Sequence, residues 1–352
     1  MSPTASRLRV AFVAALGAAT LAACATQAPP PPPPILHNAP PPPPVSLASG
    51  VVRHASAFRS YMAHTTAIRP GFTSGPAIEN SLTLGEAFES NELSRAVVAY
   101  AAVVALQEPG FVANVRAYAA DPEQRRALAA KIMADPYYAT ALPGAQSAAG
   151  LIIANVNAEA AKLRSAGELV KQSAYDVQHQ AWSKTFITDP GGRLAAAKTL
   201  SAQPMSPAPD DLETIKRAVT GSDTRLVGSQ VAAPAGGSGP PYTQVVVRGL
   251  AIAALAALGE GGDENDANMT ALLADRTDDF CLHMSKLNLY QCLAVAKPWY
   301  EDIFCLGQHV MIDTGQCVAK AVGQPQPVQT PVPPTAQVEP PAQQKPAAAG
   351  DR

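Results

Sequence analysis

Residues 144–184 read GAQSAAGLIIANVNAEAAKLRSAGELVKQSAYDVQHQAWSK, and their spacing decides the fold class. Val156, Leu163, Val170 and Val177 recur every seven residues. Three residues ahead of each stand Ile153, Ala160, Gly167 and Ala174, and Ala181 continues that row. A seven-residue apolar period puts both rows on one side of a helix. Aliphatic residues alternating with small ones make a narrow seam that lets another helix approach closely. A coiled-coil dimer could use such a seam. A long helix packed inside its own chain is the preferred reading, because the neighbouring apolar helices need a partner. Asp189-Pro190-Gly191-Gly192 then breaks the helix.

The flanking segments carry the same signal. Leu93 to Leu106 (LSRAVVAYAAVVAL) and Val245 to Leu258 (VVVRGLAIAALAAL) are apolar almost all round, which predicts buried helices. The second is too short for a membrane span, which takes about 20 apolar residues, and it contains Arg248. Shorter helices are predicted over Pro109–Ala120, Pro122–Ala134 and Asp210–Val219. Asp121-Pro122 supplies an N-cap and a proline at the first helical position, and Asp135-Pro136 repeats that signature. No stretch alternates with period two over several strands. The expectation is an all-α, irregular multi-helix bundle with one long helix over about 144–184.

Composition sets the boundaries. The 352 residues are 15% charged and include 34 prolines, a charge-poor and proline-rich balance. Eleven of those prolines lie in residues 29–44 and eight lie after Gly323. Residues 24–45 therefore read as a polyproline stalk and residues 324–352 as a disordered tail. Between them lie a first helical part (46–220), a Gly/Pro-rich loop (221–243) and a second helical part (244–323). The loop, with APAGGSGPP in it, is a crossover or a subdomain boundary. A net charge of −2 without any basic block excludes a nucleic-acid binder, which needs clustered Lys and Arg.

The amino terminus reads as an address. Arg7 and Arg9 precede an apolar stretch, Val10 to Thr20, and Leu21-Ala22-Ala23-Cys24 follows. That order resembles the lipobox signal of bacterial lipoproteins. The resemblance implies a signal peptide over 1–23 and a diacylglycerol on the thiol of Cys24, with the new amino terminus acylated. Three acyl chains exceed the two that stable anchoring takes, at about 0.8 kcal/mol per buried CH₂. With Ala25, not Asp, after the lipid cysteine, the resemblance also implies the outer membrane. The rest of the chain resembles only uncharacterised bacterial lipoproteins.

Four more cysteines stand in the body: Cys281, Cys292, Cys305 and Cys317. In an exported protein an even set reads as disulfides. The sequence around them reads as two helices, Asp278–Ala296 and Pro298–Ala321, turning at Lys297-Pro298. Eleven residues along a helix span about 16 Å, so Cys281 cannot reach Cys292, and the same holds for Cys305 and Cys317. An antiparallel hairpin then pairs Cys281 with Cys317 and Cys292 with Cys305. One difficulty remains: the twelve residues from Cys305 to Cys317 miss a common face by about 120°, so a distortion at Asp313-Thr314-Gly315 is required. Phe280, Met284, Leu287 and Cys292 are expected on the inner side, opposite Ile303, Phe304 and Val310. The hairpin is similar to the twin CX9C hairpins of mitochondrial proteins, but its spacings are longer, and no function is carried over.

Other chemical signals are weighed and set aside. Cys305 and His309 at i,i+4, with His283 nearby, have ligand-compatible spacing, yet disulfides are the stronger reading. Ile312-Asp313-Thr314-Gly315 resembles the aspartic-protease core, but those enzymes are β-rich. Asp263 to Asn268 lacks the oxygen ligand and glycine of a calcium loop and reads as a helix cap and turn. His179, at the end of the long helix, fits the helix dipole without further role. No haem-attachment, G-x-S-x-G, H-E-x-x-H or phosphate-loop motif occurs. No residue is assigned a catalytic, cofactor or metal role. The preferred function is a non-enzymatic scaffold, assembly or interaction factor, held to the membrane by its lipid and partnered by an envelope protein or the cell wall. The alternative is a periplasmic enzyme or small-ligand binder. A cavity with converging ionisable groups favours the alternative; a solid core with an exposed apolar groove favours the scaffold.

Overall fold

The computed structural model describes residues 41–221, Leu226 and 240–323. The signal, Cys24, most of the stalk, most of the Gly/Pro-rich loop and the proline-rich tail lie outside the described residues. Within them the fold is all-α, with no strand beyond one isolated bridge between Phe186 and Pro298. No single described helix is long and apolar enough to cross a membrane.

Two helices form the centre, α3 (Ser90–Ala105) and α9 (Gln244–Leu258). Ala96 to Ala105 and Leu250 to Leu258 are buried without interruption, as their all-round apolar character requires. The backbones approach closely at Gly249, where a Cβ would stand 3.0 Å from that of Ala101. Around α3 pack α1 (Ser49–Thr66), α6 (Ala145–Val177), α8 (Pro209–Val219) and α11 (Arg276–Val295). Around α9 pack α4 (Pro109–Arg116), α5 (Pro122–Ala134), α10 (Asp266–Leu272) and the 3₁₀ turn Pro136–Ala141. The two parts separated by the Gly/Pro-rich loop thus share one core. The end of the expected stalk joins it too: Arg116 Nη1 donates to the Pro43 carbonyl at 3.0 Å, and just beyond, the Ser46 amide donates to the Ala256 carbonyl at 3.2 Å.

The caps follow the sequence. Asp121 accepts the amides of Glu123 and Gln124 at the start of α5, and Asp135 accepts that of Tyr137. Asp263, read as a cap, accepts the Ser49 amide at 2.6 Å and so caps α1 from across the molecule.

The long helix ends at Val177, earlier than expected. The next residues turn, leaving His179 and Ala181 exposed, while the Ser183 hydroxyl donates to the Val177 carbonyl. Up to Val177 the seam holds. Val156, Ala160, Leu163, Gly167, Val170, Ala174 and Val177 are buried, Ile153 at the head of the seam is only half-buried, and the partner lies in the same chain. It is the return limb of the hairpin: α12 (Trp299–Cys305), a π-helical segment (Leu306–Asp313) and α13 (Thr314–Ala321). Contact is backbone-close. A Cβ on Gly307 would stand 2.5 Å from the Lys171 amide nitrogen, and one on Gly167 would stand 2.7 Å from the Met311 Cβ.

Candidate functional site

The hairpin is closed by both expected bridges. Cys281 joins Cys317 with 5.6 Å between Cα atoms, and Cys292 joins Cys305 with 5.7 Å. The distortion that Cys317 needed is present, but it begins at Leu306 and runs to Asp313. A π-helix takes about 4.4 residues per turn, so each step turns about 82° instead of about 100°. Eight such steps take back about 140°, which offsets the 120° excess and returns Cys317 to the face of Cys305. Side chains tie the wide turns together. Asp313 accepts from Gln308 Nε2 at 2.8 Å and lies 2.7 Å from His309 Nδ1, while Ser285 Oγ donates to the His309 carbonyl at 2.7 Å. Cys305 is consumed in its bridge, and the Asp-Thr-Gly run is helical.

The inner face of α11 differs from expectation. Leu282, Ser285, Lys286, Leu289 and Leu293 are buried, whereas Phe280 is 67% exposed and Met284 also faces solvent. The reason is that α11 must meet α3 as well as the return limb. The bridging cysteines therefore lie at the side of its buried face, not at its centre.

That rotation buries a lysine, and with it a group of charges that no motif announced. A cavity of about 350 Å³ opens between α2 (Gly75–Glu86), α7 (Pro190–Leu200) and α11. Buried Leu82, Glu86, Ile187, Ala197 and Leu293 form its inner end; exposed Glu79, Thr83, Asp189 and Ala196 form its mouth. Short backbone pairing holds the loop before α7 in place, with the Ile187 amide donating to the Lys297 carbonyl at 2.9 Å and the Trp299 amide to that of Thr185 at 3.3 Å. Asp189 caps α7 by accepting the Gly192 amide at 2.8 Å.

Two ionisable pairs involve the lining residues Glu86 and Arg193, and they differ. Arg193 Nη1 donates to both carboxylate oxygens of Asp302 at 2.7 Å, and Nη2 donates to the carbonyls of Leu293 and Ala296. The terminal nitrogens of this buried pair are satisfied, but Arg193 Nε is buried without a partner. Burial nevertheless pushes Asp302 up to about 6, against the pull of Arg193. Glu86 is 1% exposed, and its Oε1 has no hydrogen-bond partner. Lys286 Nζ donates to the Glu86 backbone carbonyl at 3.1 Å and sits 3.5 Å from the centroid of the Phe88 ring. Burial pushes the Glu86 carboxyl up to about 8 and the Lys286 ammonium down to about 7, each partly opposed by the other's charge. Near neutral pH the carboxyl can hold or release a proton, which suits it to bind a polar ligand or exchange a proton with one.

Sequence reasoning missed these residues, although a signal existed. Glu86 stands at i+4 from Leu82 and i+8 from Ile78, and Lys286 at i+4 from Leu282; each occupies a core-facing position of its helix. In comparisons with family models, curated proteins and solved structures, nothing matches the chain.

Proposed function

We propose that this chain is an exported lipoprotein, anchored to the outer membrane through Cys24, whose helical body holds a small ligand in the cavity between α2, α7 and α11. The observation that carries the binding role is the ligand-sized cavity itself, lined by Glu86, Arg193 and apolar side chains. The cavity reverses the order in which the sequence alone places the two readings. Export and anchoring are supported by the lipobox-like run ending at Cys24 and by two disulfides, which belong to an oxidising compartment. Replacing Cys24 by Ser should abolish acyl labelling and release the protein from membranes; persistent attachment would remove the anchor. A library of small polar molecules screened by ligand-observed NMR should give hits that Glu86→Gln weakens.

The scaffold reading keeps one specific support. Phe280, Met284 and Val295 project from α11 into solvent, an apolar set on a covalently stapled element. Cross-linking in the native envelope followed by mass spectrometry tests it, and a reproducible protein or cell-wall adduct at α11 is the expected result.

A further inference from the structure

We infer that the proline-rich segment 324–339, which follows α13, docks in the same chain along the outer face of α11 as a polyproline strap. The inference is independent of the ligand cavity.

The outer face of α11 is spaced like a helix-packing seam, and the described residues leave it open. Phe280, Met284, Leu287, Gln291 and Ala294 follow at steps of four, three, four and three, so they form one stripe along the helix. Phe280 is 67% exposed, Met284 38%, and Val295 at the end of the stripe 74%. A contiguous apolar stripe of this kind marks an interaction site.

The chain itself delivers an occupant. The order of the two disulfides makes α13 antiparallel to α11, with Cys317 against Cys281. Gly323 lies six residues beyond Cys317, about 9 Å, which places it beside the first turn of α11. Its φ of +87° is left-handed and turns the chain off the α13 axis there. Lys297, exposed at the far end of the stripe, lies sixteen residues beyond Cys281, about 24 Å. The way back from Gly323 to Lys297 is therefore about 33 Å, which polyproline II covers in about eleven residues at about 3.1 Å each. Glu339 stands sixteen residues after Gly323, which leaves five for the reversal, and it is the first charged residue after Lys320. Length and charge together bring a lone carboxylate to an exposed ammonium. The nearby Glu301 carboxylate is engaged by the Lys297 amide at 2.8 Å.

The segment in between fits the stripe. Polyproline II has three residues per turn, so Pro325, Val328, Pro331 and Pro334 share one face, apolar throughout. That face repeats about every 9.3 Å, close to the roughly 10.5 Å from Phe280 to Leu287 and from Leu287 to Ala294. Proline-rich segments dock against aromatic and apolar grooves because little conformational freedom is lost. Tethering favours this occupant over a second copy, since a short linker gives an effective concentration on the order of millimolar. A partner protein at α11 must displace the strap.

The test uses the purified full chain in lipid nanodiscs and hydrogen peroxide, which converts the Met284 thioether to a sulfoxide with release of water. In the parent, Met284 should oxidise about fivefold more slowly than in a variant carrying Val328→Ser, Pro331→Ser and Pro334→Ser. Buried Met311 should stay slow in both, and circular dichroism should be unchanged. Equal Met284 rates would overturn the strap and leave the face to a partner or to lipid. A carbodiimide, which joins a carboxylate to an amine, should link Glu339 to Lys297, and Glu339→Gln should remove that link. In a mixture of isotopically light and heavy chains every such link should fall within one chain. Absence of the link would overturn the inference, and light–heavy links would overturn it in favour of a second copy.

Discussion

The α3–α9 pair and the α6–hairpin pair are both close-packed helix contacts, but they are held together differently. At α3–α9, long runs of Ala, Val and Leu are surrounded on every side and apolar burial supplies most of the contact, although Arg95 Nε and Arg248 Nε are also buried without partners. At α6 the return limb carries a π segment, two disulfides and glycine-to-backbone contacts, and beside it lie the buried Glu86, Lys286, Arg193 and Asp302. The covalent staples stand beside the group of buried carboxyls and cations whose titration is shifted. A region whose interior carries unsatisfied or shifted charge stabilises itself less by burial, and the bridges offset that deficit.

Five variants would break or sharpen this contrast. The largest effect is expected for Gly307→Val, because its Cβ would meet the Lys171 backbone, which cannot swing aside as a flexible side chain can. A loss of about 4 kcal/mol or more is expected in urea denaturation; a loss below about 1 kcal/mol would mean the two helices separate freely. Next is the double variant Cys281→Ala, Cys317→Ala, which opens a loop of 36 residues. The chain-entropy relation gives about 3.8 kcal/mol for that loop. Removing the inner bridge should cost less, since its loop closes only 13 residues and is already constrained. The reverse order would deny the outer bridge its role.

In the other region, Leu250→Ala should cost about 3 kcal/mol at a fully buried site, and the cost should be the same with or without reductant. A cost that changes with reductant would couple the two regions and dissolve the contrast. The smallest effect has the opposite sign. With Glu86 pushed up to about 8, the folded chain retains a proton that the unfolded chain loses near 4.5. Its contribution to stability is therefore favourable at low pH and is lost as pH rises towards about 8. Glu86→Gln should match the parent near pH 4 and exceed it by about 1–3 kcal/mol at pH 8. Equal stability differences at the two pH values would show that Glu86 ionises normally.

By itself the sequence determined most of the elements and their order, though not α1, α2, α7 or α10. Local rules sufficed for that: proline at N1, aspartate caps at Asp121 and Asp135, all-apolar runs at 93–106 and 245–258, and the seven-residue seam from Val156 to Val177. It determined the disulfide pairing too, because rise per residue excludes every bridge along one helix and the short antiparallel turn at Lys297-Pro298 excludes the crossed pairing. Tertiary structure decided what depends on how helices rotate about their own axes. The bundle needed α11 to face α3 as well as the return limb, which exposed Phe280 and Met284 and turned Lys286 inward. The π segment from Leu306 to Asp313 answers a phase mismatch visible in the sequence, but its position was set by contact with α6 at Gly307 and Met311. The Glu86 cavity belongs to the same class. Its residues come from positions 79 to 293, and only packing brings α2, α7 and α11 around one space, since no short-range rule relates charges that far apart along the chain.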